Sequence, residues 1–258
     1  MVITELEIAT FIQQYLLPFC RISGMFLVMP VFSSRLLSTK IRLVLALLVS
    51  MLVVPLLPQL TVAPLFSLQT ALVVAQELLL GISVGFVFQI VFQVFVFMGQ
   101  IMAMKMGLGF ASMNDPTNGV QTTALSQFFL MLSTLMFISI NGHLILISML
   151  VDSFQSIPPG SVSLSRELLL GIVNLGSWLF VTALLLALPV LTALLIVNMA
   201  FGVMGRAAPQ LNIFSVGFPF TLICGLVLVW IGLRNFTEDF TSVVDYGFFF
   251  VSDFLKGS

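Results

Sequence analysis

The sequence predicts an all-α, polytopic membrane protein with about six apolar helical segments, and three observations carry that class. The chain is 60% hydrophobic and only 7% charged, with a mean hydropathy of +1.21, whereas a soluble globule carries about 25% charged residues. Residues 168–205 contain no charge at all, and ~20 apolar residues suffice to cross a ~30 Å hydrocarbon core. The apolar stretches also come in helix-length blocks, not in ~10-residue alternating segments. Backbone hydrogen bonds therefore close within helices and not around a barrel.

The blocks fall at about 8–30, 41–60, 68–104, 127–151, 168–204 and 211–233. The first follows Glu5 and Glu7, with neither a basic leading region nor a small-x-small cleavage site, so it is expected to persist as a membrane helix. The second runs into a corner made by Pro55, Pro58 and Pro64. The blocks at 68–104 and 168–204 are longer than one crossing needs. As a single helix the run 168–205 would extend roughly 57 Å, so it is expected to bend, break or cross twice, with Pro189 as the natural kink. Polar breaks at 33–40, 105–121, 152–167 and 206–210 separate the blocks. No repeat or low-complexity tract divides the chain, and residues 1–258 read as one domain. With six crossings, Arg35, Lys40, Arg42, Lys105 and Arg206 share a side against Arg166, Arg234 and Lys256, which places the N-terminus outside.

Several function classes are disfavoured. A net charge of −1 with scattered cations gives no footprint for nucleic acid. Cys20 and Cys224 lie inside apolar runs without a neighbouring His or second thiol and read as buried free thiols. Gly81-Ile82-Ser83-Val84-Gly85 matches the hydrolase elbow, but that chemistry needs a strand-to-helix turn and a triad. Ser83 sits in a helical apolar run, and His143 is the only histidine. No phosphate-binding loop or metalloprotease motif is present, so neither enzymatic chemistry nor a cofactor is expected.

Polar residues inside apolar blocks carry the remaining information. Arg21 lies mid-block, where a charge costs ~2.5–3.5 kcal/mol on insertion scales, and Glu77 is its natural partner. A helix-to-helix ion pair is the structural reading, a transport or proton-relay role the functional one. Gly81, Gly85, Gln89 and Gln93 recur every four residues on one stripe. That stripe suits close helix packing with amides bonding across the contact, or a wet path extended by Gln100. Met98, Met102, Met104, Met106 and Met113 interleave with Gly99, Gly107, Gly109 and Phe110, just before Asn114, Asp115 and Pro116. Flexible methionines and permissive glycines there predict a deformable apolar gasket on a mobile loop. In Arg206-Ala207-Ala208-Pro209-Gln210-Leu211-Asn212-Ile213-Phe214, Pro209 ends a helix and Gln210 and Asn212 can satisfy the freed backbone groups. A buried break at a subunit or intrachain contact is expected there, with Arg206 paired to a carboxylate or carbonyls.

Three stretches together resemble the FliR family of flagellar export-gate proteins, related to virulence type III secretion subunits. They are residues 106–110 leading to Asp115-Pro116, then Asn141-Gly142-His143, then the Arg206 motif with Gly217-Phe218-Pro219. The resemblance runs the whole chain, and Asn141-Gly142-His143 favours the flagellar branch. It implies FliP-like plus FliQ-like parts fused in one chain, with broken, tilted helical hairpins. It also implies an inner-membrane location at the flagellar basal body, FliP, FliQ and FlhB as partners, membrane lipid around them, and unfolded flagellar subunits in transit. Met104, Met106, Gly107, Gly109, Phe110 and Met113 would then plug the pore. Arg21, Glu77, Gln89, Gln93, Asn141, His143, Arg206, Pro209, Gln210 and Asn212 would serve structure and assembly. The alternative is a secondary transporter of a small solute, with Arg21, Glu77 and the glutamines at its midplane.

Overall fold

A computed structural model of the chain describes residues 5–32, 38–57, 67–108, 123–160, 166–207 and 213–256. Among these residues every regular element is helical. They are α1 (Glu5–Val28), α2 (Thr39–Val53) with a 3₁₀ turn at Val54–Leu56, α3 (Leu68–Lys105), α4 (Ala124–Ser139), α5 (Gly142–Ser156), α6 (Arg166–Ala207), α7 (Ile213–Gly232) and α8 (Phe236–Lys256). Four helices are long and apolar enough to cross a membrane, and up to six spans result if each of two bent pairs, α4–α5 and α7–α8, counts as one. The chain is thus an all-α polytopic membrane protein.

Local chemistry sets the ends. Ser38 caps α2 by accepting the Ile41 N–H, and Ser67 caps α3 by accepting the Thr70 N–H at 3.1 Å, each satisfying a donor the first helical turn leaves free. Pro55 falls in the 3₁₀ turn that finishes α2. At the other end of α3, Gly107 has φ +83°. The Leu108 N–H bonds Ala103 O at 2.9 Å and the Gly107 N–H bonds Met104 O at 3.2 Å, the paired bonds of a Schellman stop.

The observed helices refine the block reading in three places. Both overlong blocks are single helices, α3 of 38 residues and α6 of 42, the latter passing through Pro189 uninterrupted. Proline removes one bond, whereas unwinding a turn in hydrocarbon would leave several peptide groups without partners at several kcal/mol each. The 127–151 block, by contrast, is two helices meeting at 64°. Asn141 makes that corner with φ 56°, the one described non-glycine residue in the left-handed region, which Asn tolerates better than most residues. The last helix, α8, lies beyond the sixth block altogether.

By contacts the chain divides into two compact units. In the first (1–90, 137–174 and 246–258), Phe88, Phe137 and Phe248 cluster with ring centroids 5.1–6.1 Å apart. The Ser156 hydroxyl there donates to Leu255 O at 2.7 Å, tying α5 to the end of α8. The same unit packs α1 on α3 backbone to backbone. A Cβ at Gly24 would stand 2.6 Å from Leu78 O, at Gly81 1.9 Å from Arg21 O, and at Gly85 2.7 Å from Met25 O. The Gly81/Gly85 stripe is therefore a close-packing face, met from the other side by Gly24. In the second unit (91–136 and 175–245), Phe95, Phe129, Phe236 and Phe240 form the aromatic core.

The contact at Gly81 admits no side chain. Gly81→Ala should lower the stability of the detergent-solubilised protein by about 1–3 kcal/mol, because the atoms it meets are backbone and cannot swing aside. Gly176→Ala, where nothing lies within 4 Å, should cost nothing or raise the melting temperature slightly. Equal melting temperatures for the two variants would refute the backbone contact.

Candidate functional site

The first unit holds a fully buried ion pair. Arg21 on α1 and Glu77 on α3 are both 0% exposed. Arg21 Nε donates to Glu77 Oε2 at 2.6 Å and Nη2 to Oε1 at 3.0 Å, a two-pronged contact. Nη1 donates to Ser153 Oγ at 2.8 Å, and Nη2 also donates to Ile157 O at 3.0 Å. The guanidinium lies 3.9 Å from the centroid of the Phe154 ring, close enough for cation–π attraction. Glu77, the partner named from sequence, is the one Arg21 reaches. Ser153, Phe154 and the Ile157 carbonyl could not have been named, since they depend on where the α4–α5 corner sends α5.

This arrangement is a junction of α1, α3 and the C-terminal end of α5. A cation there also meets the helix's negative end and one of its last carbonyls. Every charge is matched inside the protein and the glycine contacts exclude anything larger. It offers a substrate no open donor set, and among the described residues no group of His, Cys, Asp and Glu could hold a metal ion.

A second polar knot lies in the other unit. Gln100 Oε1 accepts the Thr123 N–H at 3.2 Å and the Ser126 hydroxyl at 3.1 Å. Gln89 and Gln93 are half-buried along α3. Ser83 is an ordinary helical serine whose hydroxyl donates to Leu79 O at 2.8 Å.

The expected gasket residues fall into three groups. Met104 is 62% exposed, whereas Met106 is fully buried with its side chain seated over Gly225, where a Cβ would come within 2.5 Å of it. Gly107 is the helix stop described above, and a Cβ on it would lie 2.6 Å from Phe218 Cε2. Met106 and Gly107 are thus anchored to α7. Gly109, Phe110 and Met113 lie outside the described residues. So do Pro209, Gln210 and Asn212; α6 is described as far as Ala207. Arg206 is exposed on this chain, so of the two contacts expected for it the chain itself does not supply the intrachain one. Asn141 turns the α4–α5 corner, where a Cβ on Gly142 would meet the Phe137 ring at 2.5 Å. His143 follows, half-buried, its Nδ1 buried without a hydrogen-bond partner among the described residues.

Removing one member of the buried pair strands the other. Arg21→Leu should cost about 3–5 kcal/mol of stability, and Arg21→Glu more, because it adds a like charge. The double variant Arg21→Leu/Glu77→Leu should recover most of the loss. Denaturation midpoints of the four solubilised proteins form the cycle; a double variant no more stable than Arg21→Leu would mean that the pair is not coupled.

Comparison with known proteins bears on the whole chain. Residues 12–246 match the family described as bacterial export proteins, family 1. The flagellar biosynthetic protein FliR of Escherichia coli strain K12 is 36% identical over 227 residues, covering 88% of this chain and 87% of that protein. FliR of Pectobacterium carotovorum is 35% identical over 221 residues (86% and 84%), and FliR of Buchnera aphidicola from Acyrthosiphon pisum is 32% identical over 251 residues (97% of each). The matched region begins within α1 and ends within α8, enclosing both polar knots, the α4–α5 corner and the two overlong helices, and on this footing the chain belongs to the FliR family of bacterial export proteins.

Proposed function

We propose that this protein is a subunit of the flagellar type III export gate in the bacterial inner membrane. With FliP, FliQ and FlhB it forms the channel through which unfolded flagellar proteins leave during flagellum assembly, and residues 104–119 plug that channel. The chain itself performs no chemistry.

Beyond family membership, the observation that carries this reading is α6. Its apolar span Leu170–Ala207 covers 38 residues, of which only Leu175, Leu179, Ala183, Ala187, Val190 and Leu194 are buried within the chain. A helix that long measures roughly 57 Å. Even tilted by 40°, the upper end of the usual range, it would rise about 44 Å against a hydrocarbon core of ~30 Å. Lipid cannot cover all of it. The exposed residues Phe180, Leu185, Ile196, Met199 and Val203 therefore call for other protein chains, as a gate subunit would have and a lone carrier would not. The carrier alternative would draw on Arg21 and Glu77, which are bonded to each other; that favours the gate reading.

Mild detergent extraction followed by mass measurement of the intact particle tests the assembly; a lone chain that binds a solute would overturn the reading. For the plug, Phe110→Gly/Met113→Gly, or a shortened 109–119 segment, should leave assembly intact and make membranes leaky to small ions, since apolar constrictions exclude ions by dewetting. Membranes that stay tight while the complex demonstrably assembles would place the seal elsewhere.

A further inference from the structure

The second unit holds a cavity of about 280 Å³ where α7 turns into α8. Its walls are apolar, built in the main from Met98 and Met102 on α3, Phe129 on α4, and Leu186 and Val190 on α6. Among the described residues, its only polar side chains are Asn235 and Asp239. The Asn235 carbonyl accepts the Asp239 N–H at 3.1 Å, so α8 starts here, and residues four apart share one helical face. Asp239 is half-buried, and no cation or hydrogen-bond donor of the described residues reaches its carboxylate. Arg234, the nearest cation in sequence, lies toward Trp230 instead, 5.9 Å from the ring centroid. Acids in a first turn suit the positive end of a helix. Glu238, exposed and outside the cavity, is enough for that; Asp239 is the acid that lines it.

Volume and wall chemistry narrow the occupant. The space is below the ~300–1,000 Å³ usual for small-molecule sites and suits one long side chain. Calcium or magnesium would need about six oxygen ligands, where two side chains have oxygen to give. A lysine or arginine buries its methylene stem against apolar surface and carries charge only at its tip, where Asp239 and the Asn235 side-chain oxygen accept. Adjoining the lining residues in sequence, Leu185 and Leu188 on α6 and Trp230 on α7 are exposed. An apolar rim about a charged pit is the anatomy of an interface hot spot, and it continues the surface of α6 that calls for other chains. Whatever covers it without bringing a cation would leave a desolvated, unpaired carboxylate. We infer that this cavity receives a lysine or arginine side chain from another chain of the assembly, with Asp239 as its counter-ion. The inference rests on the reading above that the protein is a gate subunit.

The test uses the complex extracted with FliP, FliQ and FlhB in mild detergent, diluted stepwise, with the concentration at which the particle dissociates read from its mass. Asp239→Asn should raise that midpoint at least about ten-fold, whereas Glu238→Gln, outside the cavity, should stay within about two-fold of native. Gly232→Leu keeps the charge and fills the space: Gly232 lines the cavity, and a Cβ on it meets nothing within 4 Å. It too should raise the midpoint at least about ten-fold. Asp239→Lys should abolish the particle, and a Lys→Glu or Arg→Glu reversal at one position of one partner chain should restore it. An unchanged midpoint in Asp239→Asn or Gly232→Leu overturns the inference, as does equal weakening by Glu238→Gln or the failure of every reversal. An intact Asp239→Asn particle that has lost bound phosphatidylethanolamine overturns it as well, since a lipid amine is then the occupant. In each case the gate reading stands if the native chain is recovered with its partners. A native chain recovered alone defeats that reading first, and this inference with it. Should Asp239→Asn not accumulate, Gly232→Leu decides.

Discussion

A peptide group in hydrocarbon finds no water to bond, and much of this architecture follows from that privation. It keeps α6 helical through Pro189, because the proline costs one bond while any unwinding costs more. It puts caps and stops where the chain must turn: Ser38, Ser67 and Thr123 at helix starts, Gly107 at the end of α3. It also makes small residues the instrument of packing, since apolar side chains gain little from leaving lipid for one another and close backbone approach must supply the contact energy. Gly24, Gly81 and Gly85 meet that need between α1 and α3.

The buried charge pair depends on that approach. Arg21 can engage Glu77, Ser153 and the end of α5 at once only because Gly81 lets the Arg21 carbonyl lie against α3. A pair so thoroughly desolvated adds little net stability over an apolar equivalent. Its value is in exclusivity: a shifted register between α1 and α3 would leave a guanidinium and a carboxylate without partners, which penalises the wrong packing far more than it favours the right one.

What the sequence made legible follows the same physics. Composition and block length were enough for the class. Arg21–Glu77 could be paired because Glu77 is the only acid between Glu7 and Asp115. The Gly-x-x-x-Gly stripe was readable as packing, although its opposing Gly24 was not singled out. Hydropathy failed where geometry is decided by dihedral angles or faces instead of averages. The Asn141 corner is flanked by apolar residues on both sides, so nothing in a smoothed profile marks it. Helix α8 escaped for the converse reason: Phe236, Phe240, Val244 and Val251 are buried on one side while Glu238, Asp245 and Asp253 stay exposed on the other. Its apolar face was visible only at a period of 3.6 residues. The acceptor for the Thr123 N–H was illegible because it comes from a different helix.

The thinly covered α6 also bears on how the cell must handle this chain. For a gate subunit as proposed above, whatever covers the apolar surface that the bilayer cannot hide adds to the chain's own stability by mass action, growing as the logarithm of partner concentration over the dissociation constant. Synthesis in excess of its partners would therefore yield surplus chains that aggregate or are degraded, and the amount of finished assembly would track the scarcest component. Under that proposal, matched production would be the consequence of one helix longer and more apolar than a single crossing needs.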